Sequence, residues 1–590
     1  MARVVTDVSG IDKVFDYSIP PELVQATQVG TKVRVNLHGR RVGGWVVAIG
    51  DSSTPSFSSA FESKLIPLVS VSGAGVEPYL VDLVTWVATM WCGPIRAVLS
   101  SATAPLVRVS RGSPQRGRSV KPTDDGVATS TRLLIKQGGG VLVVPPLQSA
   151  ISVIAAAAEA GPVLALCPTI RMCMLGAASL RRRGLVVAEM PDDLSRAASG
   201  VDVVIGARSG VWAPCVGMAS VVVIDEHDES YWEERVPTWN APEVARERAR
   251  RAGVAYIAVS SVPSLRTLST ASSEEIHETP VTANGWPQFV VEDLSAQPVK
   301  TSLVTTSLVQ ELRDPKKTVL AIFNTTGSGR LLACKQCRTI AKCSTCATVL
   351  AQDQVGVLRC GVCDTAVPAV CNACGRTVFS VLRAGTAQLQ RELSATAART
   401  VVEVTKETSL DKLDLSCAYV GTEALLYRVS SADVVVFLDI DSELMAPRLS
   451  ALADTLALLV RAARVVGIHG RIIVQTRAID HPLIQTIQKA DAPHIQEAIM
   501  LLLRSEAGRR RSMALPPVAY CSLVEGLVDE PPQAPGIQVA TLGNVKKKQD
   551  DESNVYLIKS EIRNDLVTYL VQLRQTVSEK IRVRIDPSRM

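Results

Sequence analysis

Short apolar runs, separated by mixed segments of helical period, recur through the middle of the chain. The runs GVLVV, PVLALC, VDVVIG and SVVVID follow one another between residues 140 and 225. Each is short and uniformly apolar, as is typical of a parallel strand that is buried on both faces. Ala- and Arg-rich helical stretches lie between them. This alternation predicts a doubly wound α/β lobe over residues 131–290.

A second alternating region begins at TVLAIFN and resumes through CAYVGTE, DVVVFLDID and RIIVQT. A cysteine-rich segment interrupts it between the first and second of these runs. We therefore predict a second lobe over residues 300–330 and 377–485, with an insertion over residues 331–376.

The two ends of the chain follow different patterns. Residues 1–105 combine the strand-like VFDYSIP and GTKVRVNLHGRRVGGWVVAIG with an apolar helical segment, which predicts a small β-rich domain. Residues 490–590 predict an α+β domain. Residues 106–130 contain RVSRGSPQRGRSVK, which has basic residues and no acid and is typical of a flexible basic linker. A solvated tether and a phosphate contact both fit this segment.

Composition limits the class of protein. The chain has 590 residues, enough for about three to five domains. Its apolar runs all fall short of the roughly 18 residues that a membrane span needs, and the first residues lack the apolar core of a signal peptide. We therefore predict a cytoplasmic protein with no membrane partner. The net charge of +6 is too modest to establish a nucleic-acid partner by itself.

Eight of the 14 cysteines form four C-x-x-C knuckles between residues 334 and 374. Two thiolates at this spacing can face one tetrahedral ion, so eight thiolates predict two closed, structural zinc sites. The alternatives are disulfides, which a reducing cytoplasm disfavours, and a redox couple, which needs fewer knuckles. The other six cysteines are predicted to be small core residues: Cys92, Cys167, Cys173, Cys215, Cys417 and Cys521.

Loop lengths predict which knuckles share an ion. The loop from Cys337 to Cys343 is short for two knuckles to turn and meet, whereas the loop from Cys346 to Cys360 has an ordinary ribbon length. A nested arrangement follows. The inner site takes Cys343, Cys346, Cys360 and Cys363, and the outer site takes Cys334, Cys337, Cys371 and Cys374.

The order of these pieces resembles the PriA family of bacterial replication-restart proteins, also called primosomal protein N-prime. The matching segments are KVFDYSIP, GTKVRV, VVIGARSGVWAP, HDESY, APEVARERA, VPSLRTL, the eight-cysteine module, GTEALL, VVFLDIDSELMAPR, IVQT, LPPVAYCSLVEG and RVRIDP. The resemblance implies a multidomain α/β fold: a β-rich DNA-binding domain, two RecA-like helicase-type lobes with a double zinc insertion, and an α+β carboxyl-terminal domain.

The resemblance also implies a pocket for the 3′ end of a nascent DNA strand at Phe15, Asp16 and Tyr17. An aromatic ring offers a stacking face, and a carboxylate can bond a terminal hydroxyl or a base edge. The structural alternative is an edge strand with an ordinary buried phenylalanine.

The ATP site that the resemblance implies is degenerate. Motors of this family carry a Gly-Lys-Thr loop after the first strand of lobe one, where this sequence has Pro145 and Pro146 and no lysine. The segment NTTGSGR, from Asn324 to Arg330, lacks the Gly-Lys-Ser/Thr ending and lies in the other lobe.

The acids of the site are also off pattern. When the segment is aligned on His227, Asp228, Ser230 and Tyr231, the position of the family's leading aspartate falls on Ile224, and Asp225 and Glu226 occupy the next two places. A one-residue gap would restore the match. We interpret these acids, with Asp228, as relics that cap helices or lie on the surface.

The second lobe shows a similar departure. It keeps Arg464 but has Val460 and Gly467 where the family has Gln and a final Arg, and Tyr427 and Arg428 where a Lys-Gly usually stands. We therefore expect no useful ATP hydrolysis. Binding of ATP without turnover stays open.

These observations favour a replication-restart protein that binds abandoned or stalled forks and helps reload the replicative helicase, without helicase activity. The expected partners are forked DNA with a nascent 3′ end, primosome proteins, and the replicative helicase or its loader. Single-stranded DNA-binding protein is a further candidate, and the expected location is the nucleoid. Two alternatives remain: an active ATP-dependent 3′ to 5′ helicase with a divergent nucleotide pocket, and a zinc-ribbon protein outside replication.

Overall fold

A computed structural model describes most of the chain. The described residues are 1–11, 13–50, 65–103, 112–117, 125–279, 285–296, 303–324, 332–337, 339–345, 349–352, 357–360, 365–381, 386–404, 408, 418–490, 493–546, 552–577 and 581–586. The chain divides into two compact units. The first contains residues 1–143, 150–279 and 507–587, and the second contains residues 144–149, 280–506 and 588–590.

The amino-terminal part of the first unit is an antiparallel sheet with two helices. Alternating burial along the strands, as in KVRVNL, places one face of this sheet on a small core. The strand order is β2-β1-β4-β3-β5. The elements are β1 (Ala2–Thr6), β2 (Val14–Tyr17), β3 (Lys32–Leu37), β4 (Arg40–Ile49), β5 (Ser70–Gly73), α1 (Pro78–Met90) and α2 (Ile95–Ala102).

The first lobe is a parallel sheet whose central strands are almost wholly buried, as their uniform apolar sequences predict. The strand order is β12-β6-β11-β10-β7-β9-β8. The strands are β6 (Gly139–Val143), β7 (Val163–Leu166), β8 (Val187–Glu189), β9 (Val203–Gly206), β10 (Ser220–Ile224), β11 (Ala255–Ser260) and β12 (Ile276–Glu278).

The helices of this lobe begin at residues that suit an N-cap. Asp125, Thr169, Asn240 and Ser264 each accept a hydrogen bond from the first turn of a helix. The helices are α3 (Gly126–Lys136), α4 (Ile151–Ala157), α5 (Ile170–Arg182), α6 (Leu194–Ser199), α7 (Ala241–Ala252) and α8 (Leu265–Thr270). The last residues of the predicted linker therefore form the start of α3.

The second lobe is a parallel sheet with the strand order β13-β23-β22-β14-β21-β20. Its strands are β13 (Gln288–Asp293), β14 (Val319–Ile322), β20 (Val401–Val404), β21 (Ala418–Gly421), β22 (Val434–Phe437) and β23 (Arg471–Thr476). Its helices are α9 (Thr306–Arg313), α10 (Thr386–Ala397), α11 (Leu425–Arg428), α12 (Asp441–Leu444), α13 (Ala451–Val466) and α14 (Pro482–Lys489). The next helix, α15 (Ile495–Ser512), belongs to the second unit up to Glu506 and to the first unit from Ala507.

One strand lies in a different lobe from the one that the sequence predicts. We expected the first lobe to run to residue 290, but β13 pairs in parallel with β23 of the second sheet along its whole length. The hydrogen-bonding edge of β23 is the physical reason, and a partner so distant in the chain leaves no local signal.

The cysteine insertion between β14 and β20 is built from short antiparallel strands. They are β15 (Leu332–Cys334), β16 (Leu350–Gln352), β17 (Leu358–Cys360), β18 (Ala366–Val367) and β19 (Phe379–Val381). Strand β15 pairs with β19, and β16, β17 and β18 form a separate small sheet.

The carboxyl-terminal part is an antiparallel sheet, ordered β25-β26-β24-β27, with one helix. Its elements are β24 (Tyr520–Leu527), β25 (Gln538–Lys546), β26 (Glu552–Ser560), α16 (Arg563–Thr576) and β27 (Arg582–Ile585). Within the first unit its apolar face shares one core with α1 and the first lobe. Across the described residues, no helix is both long and apolar enough to cross a membrane. The predicted fold class is confirmed.

Candidate functional site

Four cysteine side chains meet where the first and last knuckles of the insertion come together. The Sγ atoms of Cys334, Cys337, Cys371 and Cys374 all lie within 4.8 Å of one another. The Sγ–Sγ distances are 3.5 Å between Cys334 and Cys374 and 3.4 Å between Cys337 and Cys371. These four are the set that loop lengths assign to the outer site, and the cluster could hold a metal ion.

Backbone pairing brings these knuckles together. Cys334 ends β15 and lies opposite Phe379 of β19. Each knuckle then turns back on itself, since the N–H of Cys334 donates to Thr339 and the N–H of Cys371 donates to Arg376. Such turns present two thiols on one side of the chain, which is the arrangement that a tetrahedral ion requires.

Hydrogen bonds among the thiols favour a thiolate at Cys337, whereas they raise the pKa of Cys374, which keeps its proton. Burial opposes ionisation of Cys337, but hydrogen bonds with Thr339 and with the neighbouring thiols lower its pKa to about 6. A thiol that ionises easily is a ready metal ligand, because the thiolate is the form that binds.

The inner knuckles are described only in part. Cys343 and Cys360 are buried in one apolar cluster with Leu332, Leu350 and Leu358. The predicted ligands Cys346 and Cys363 lie outside the described residues. Of the cysteines predicted to be core residues, Cys92, Cys167, Cys173, Cys215 and Cys521 are buried, whereas Cys417 lies outside the described residues.

The acids after β10 are buried and serve local structure. The Glu226 carboxylate accepts hydrogen bonds from the N–H of Ser264 at 2.6 Å, the hydroxyl of Ser264 at 2.9 Å and the hydroxyl of Thr267 at 3.0 Å. Ser264 is the N-cap of α8, so Glu226 holds the beginning of that helix. Three donors already occupy the carboxylate.

The neighbours of Glu226 are similarly engaged. The Nδ1 atom of His227 lies 2.7 Å from the hydroxyl of Ser260, and Asp228 accepts from the N–H of Ser230 at 2.9 Å. Asp225 is buried with a positive φ of 49°. The capping interpretation therefore agrees with the geometry of Glu226 and Asp228, whereas the surface interpretation is wrong because Asp225, Glu226 and Asp228 are all buried.

The described segment after β6 does not lead directly into the N-terminus of a helix, as a phosphate-binding loop does. Pro145 and Pro146 follow one residue after the end of this strand and have no backbone N–H to donate. The next helix, α4, begins only at Ile151.

The family's arginine-finger region lies on α13 in the second lobe. Val460 is buried in the lobe core, and Gly467 ends the helix with a φ of 65°, a conformation that glycine adopts without strain. Arg464 lies in the last turn of α13. Tyr427 and Arg428 stand where the family usually has Lys-Gly. The guanidinium of Arg461 lies over the Tyr427 ring at 4.5 Å, and Arg428 donates to the carbonyl of Thr408.

A second group of strand-end acids, which we did not predict as a site, follows β22. Asp441 is fully buried and accepts hydrogen bonds from the Thr476 hydroxyl and from the N–H of Arg477. Asp439 is buried, and its Oδ1 has no hydrogen-bond partner among the described residues. Burial, followed by the charge of Asp441, raises the pKa of Asp439 to about 7. The apolar run that ends in LDID is the sequence feature that could have indicated these acids.

The residues of the predicted DNA-end pocket lie on β2, an edge strand. Tyr17 is buried in the sheet core and donates from its hydroxyl to the carbonyl of Asn36, and Phe15 packs against the same core. Asp16 alternates to the other face and makes a two-pronged ion pair with Arg3, at 3.0 and 3.3 Å. The structure therefore does not bring the three side chains to one face.

The β-rich domain, two parallel α/β lobes and a cysteine insertion between strands of the second lobe define a multidomain α/β protein. Residues 3–104 match the family model of the PriA 3′DNA-binding domain (3′BD). The chain is similar in sequence to replication restart proteins PriA, as the sequence resemblance implies.

Curated relatives cover the chain in part. The "Replication restart protein PriA" of Thermotoga maritima is 28% identical over 55% of this chain and 46% of its own length. The proteins of the same name from Haemophilus influenzae and Bacillus subtilis are each 24% identical, over 56% and 55% of this chain and 48% and 43% of their own lengths. The chain therefore matches about half the length of these relatives.

Solved structures resemble the chain more distantly. The Escherichia coli DEAH/RHA helicase HrpB has a TM-score of 0.33 and 12% identity, over 67% of this chain and 50% of that one. A DEAD box protein from Methanococcus jannaschii has a TM-score of 0.30 and 8% identity, over 66% of this chain and 91% of that one. The similarity to PriA proteins therefore rests on the sequence matches alone.

Proposed function

We propose that this protein binds abandoned or stalled replication forks and helps reload the replicative helicase, without unwinding DNA itself. The match of residues 3–104 to a 3′DNA-binding domain carries this proposal. The partners we infer are forked DNA, primosome proteins and the helicase or its loader, with single-stranded DNA-binding protein as a further one, on the DNA of the nucleoid.

The geometry at β10 supports the absence of a motor. A working site needs a carboxylate with free oxygens for Mg²⁺ and a loop of backbone donors for phosphate. Here three donors occupy Glu226, two prolines follow β6, and Val460 is buried. At these described positions the backbone donors and free Glu226 oxygens that would stabilise charge in phosphoryl transfer are missing.

Fork binding and ATP turnover, measured on the same preparation, test this proposal. We expect a synthetic fork to bind, with an affinity that falls steeply with salt because phosphate contacts release counterions. We expect no ATP hydrolysis above background with or without the fork. A fork-stimulated ATPase that Asp225→Asn abolishes would establish the helicase alternative, and failure to bind any fork would reject the whole proposal.

The role of Asp16 at a DNA 3′ end needs a separate test, because this carboxylate is paired with Arg3. If Asp16 reads the terminal hydroxyl, forks with a free 3′ end should bind more tightly than blocked forks, and Asp16→Asn should remove that preference. If Asp16 only neutralises Arg3, Asp16→Asn should strengthen binding to both forks equally. Glu22→Gln, on the exposed 3₁₀ helix Pro21–Ala26, is the matched control.

We also propose that the insertion holds two structural zinc ions, one in each nested set of cysteines. The outer cluster fits this, since four thiols lie within 4.8 Å of one another. Elemental analysis of reduced protein should give two zinc ions per chain, and one for Cys334→Ser or for Cys343→Ser. Cys521→Ser, in the carboxyl-terminal sheet, should keep both. Zero or one zinc in the unaltered chain contradicts the two-site proposal.

A further inference from the structure

A groove in the first unit runs between helix α2 and loops of the first lobe. It consists of two cavities, of about 300 and 650 Å³, and Ser101 of α2 lines both of them. Each volume is within the range of pockets that hold a ligand. One wall is contributed by residues between 28 and 103, inside the span that matches the 3′DNA-binding domain, and the other by residues between 190 and 239.

The smaller cavity has apolar walls and a polar mouth. None of the described residues that line it is basic, and Ser101 and Ser209 lie at exposed positions. Its apolar lining includes Pro78, Met190, Pro191, Leu194 and Pro214. Walls of this kind suit a flat, uncharged group such as an unstacked base, which proteins hold between aromatic and apolar side chains.

Trp212 also lines the smaller cavity, and its indole donor is unused. The side chain is only 5% exposed, and its Nε1 has no hydrogen-bond partner among the described residues. Its ring lies edge-on to Trp239, with the ring centroids 5.5 Å apart. A buried N–H without an acceptor is costly, so a ligand with acceptor atoms on its ring would be favoured here.

The larger cavity is charged, with three arginines and two acids among its described lining residues. Arg208 pairs with Glu233 at 3.3 Å. Arg96 pairs with Asp7 at 3.0 Å, but Asp7 also faces Lys32 at 3.9 Å, so two cations share one carboxylate. This cluster therefore keeps an excess of positive charge beside the cavity.

Arg235 provides a second cation in the larger cavity. It is exposed, and its backbone N–H donates to Glu233, whereas its guanidinium has no partner among the described residues. A guanidinium presents several donors in a plane and matches the oxygens of a phosphate.

Helix α2 joins the two cavities along one face. Arg96 and Ser100 are four residues apart, as are Ala97 and Ser101, so these side chains are neighbours on the helix surface. Arg96 and Ser101 are separated by about 7.5 Å along the axis. A cationic zone thus adjoins an uncharged apolar one, and a nucleotide unit has the same division into a phosphate and a neutral base.

We propose that this groove holds a single strand of DNA, with one unstacked base in the smaller cavity against Trp212 and the backbone phosphates on Arg96 and Arg235. The inference rests on the proposed fork binding and adds a specific site to it. The groove is separate from the predicted DNA-end pocket, because Phe15, Asp16 and Tyr17 line neither cavity.

Binding of a labelled single-stranded oligonucleotide to the full chain, followed by fluorescence anisotropy, tests the base pocket. Each nucleotide in turn is replaced by an abasic one. We expect one position at which this replacement weakens binding about tenfold, because a stacked base is lost. Ser209→Trp, which fills the exposed mouth, should remove that difference between intact and abasic strands. Thr129→Trp, at an exposed position of α3 outside the groove, should keep it.

The phosphate contact has a different signature. Arg235→Ala should weaken intact and abasic strands by the same factor, about three- to tenfold, and reduce the slope of log Kd against log salt by about 0.7. The matched control is Arg251→Ala, whose guanidinium pairs with Glu247 and lines neither cavity. It should change neither the affinity nor the slope.

Two results would overturn the proposal. One is a scan of the unaltered chain in which no abasic position weakens binding. The other is an abasic penalty that persists in Ser209→Trp or in Ser101→Trp, a second filling variant on the exposed face of α2, when its Tm equals that of the parent. Fork binding by the unaltered chain together with a flat scan would reject this site alone, whereas failure to bind any fork would reject the restart role.

Discussion

The two lobes each place acids after a buried parallel strand, and the two groups differ in how their oxygens are used. In SVVVIDEHD, after β10, Glu226 accepts three hydrogen bonds and anchors α8. In DVVVFLDID, after β22, Asp441 is well bonded but Asp439 keeps an oxygen with no partner among the described residues. The same sequence pattern, an apolar strand followed by acids, thus places a stabilising carboxylate in the first lobe and a destabilising one in the second.

This difference shows that a strand-end carboxylate is informative only together with its donors. A buried carboxylate with several donors stays ionised and contributes stability, whereas one with few donors is penalised by desolvation. The acids follow an equivalent strand in each lobe. Hydrogen-bond donors from distant segments therefore decide whether such an acid is stabilising or destabilising.

The largest effect should come from removing the satisfied acid. Glu226→Ala leaves the N–H and hydroxyl of Ser264 and the hydroxyl of Thr267 without their acceptor, so the free energy of unfolding should fall by about 2–3 kcal/mol. Urea denaturation measures this change. Glu229→Ala, at an exposed position nearby, should stay within about 0.5 kcal/mol. If Glu226→Ala and Glu229→Ala lowered the free energy of unfolding equally, the hydrogen bonds to Glu226 would not be stabilising, and the contrast with Asp439 would fail.

A smaller effect, of opposite sign, is expected for the unsatisfied acid. The raised pKa of Asp439, about 7 against an ordinary 3.8, means that the folded chain holds a proton that the unfolded chain releases. The stability of the chain therefore falls as pH rises from about 4 to about 7, and the full cost persists above that range. Asp439→Asn should relieve this cost and raise the free energy of unfolding by about 1–3 kcal/mol at about pH 8.

The pH dependence separates this effect from ordinary charge removal. The gain from Asp439→Asn should shrink at about pH 5, where the native carboxyl is mostly protonated. Asp480→Asn, at an exposed position of the same lobe, should show little change at either pH. A gain that is equal at both pH values would mean that titration of Asp439 is not its cause.

The smallest effect is expected for magnesium alone. Donors occupy Glu226 and Asp441, and Asp439 keeps only one oxygen without a partner among the described residues. One such oxygen is too few for the several ligands that Mg²⁺ takes, so millimolar Mg²⁺ should shift Tm by less than about 1 °C. Calorimetry with and without the ion measures this. A clear rise in Tm that Asp225→Asn removes would show that the acids after β10 still bind a cation.

Much of the architecture could be predicted because its signals are local. Uniform apolar runs define the parallel strands, and C-x-x-C spacing with loop length predicts the outer cysteine set. The parts that were missed depend on distant partners. The pairing of β13 with β23 and the ion pair of Asp16 with Arg3 require the folded sheet, and the donors to Glu226 come from a segment 38 to 41 residues further along the chain.

The ion pairs of Arg266 with Asp586 and of Glu243 with Arg563 each join residues 320 positions apart. On a ribosome that adds about 5–20 residues per second, each later partner is made roughly 15–60 s after the earlier one. During that interval the nascent first lobe lacks both its charge partners and the apolar face of the carboxyl-terminal sheet that completes their common core. The first unit can therefore close only after Arg563 and Asp586 have been made, and until then its exposed apolar surface is a target for chaperones or aggregation.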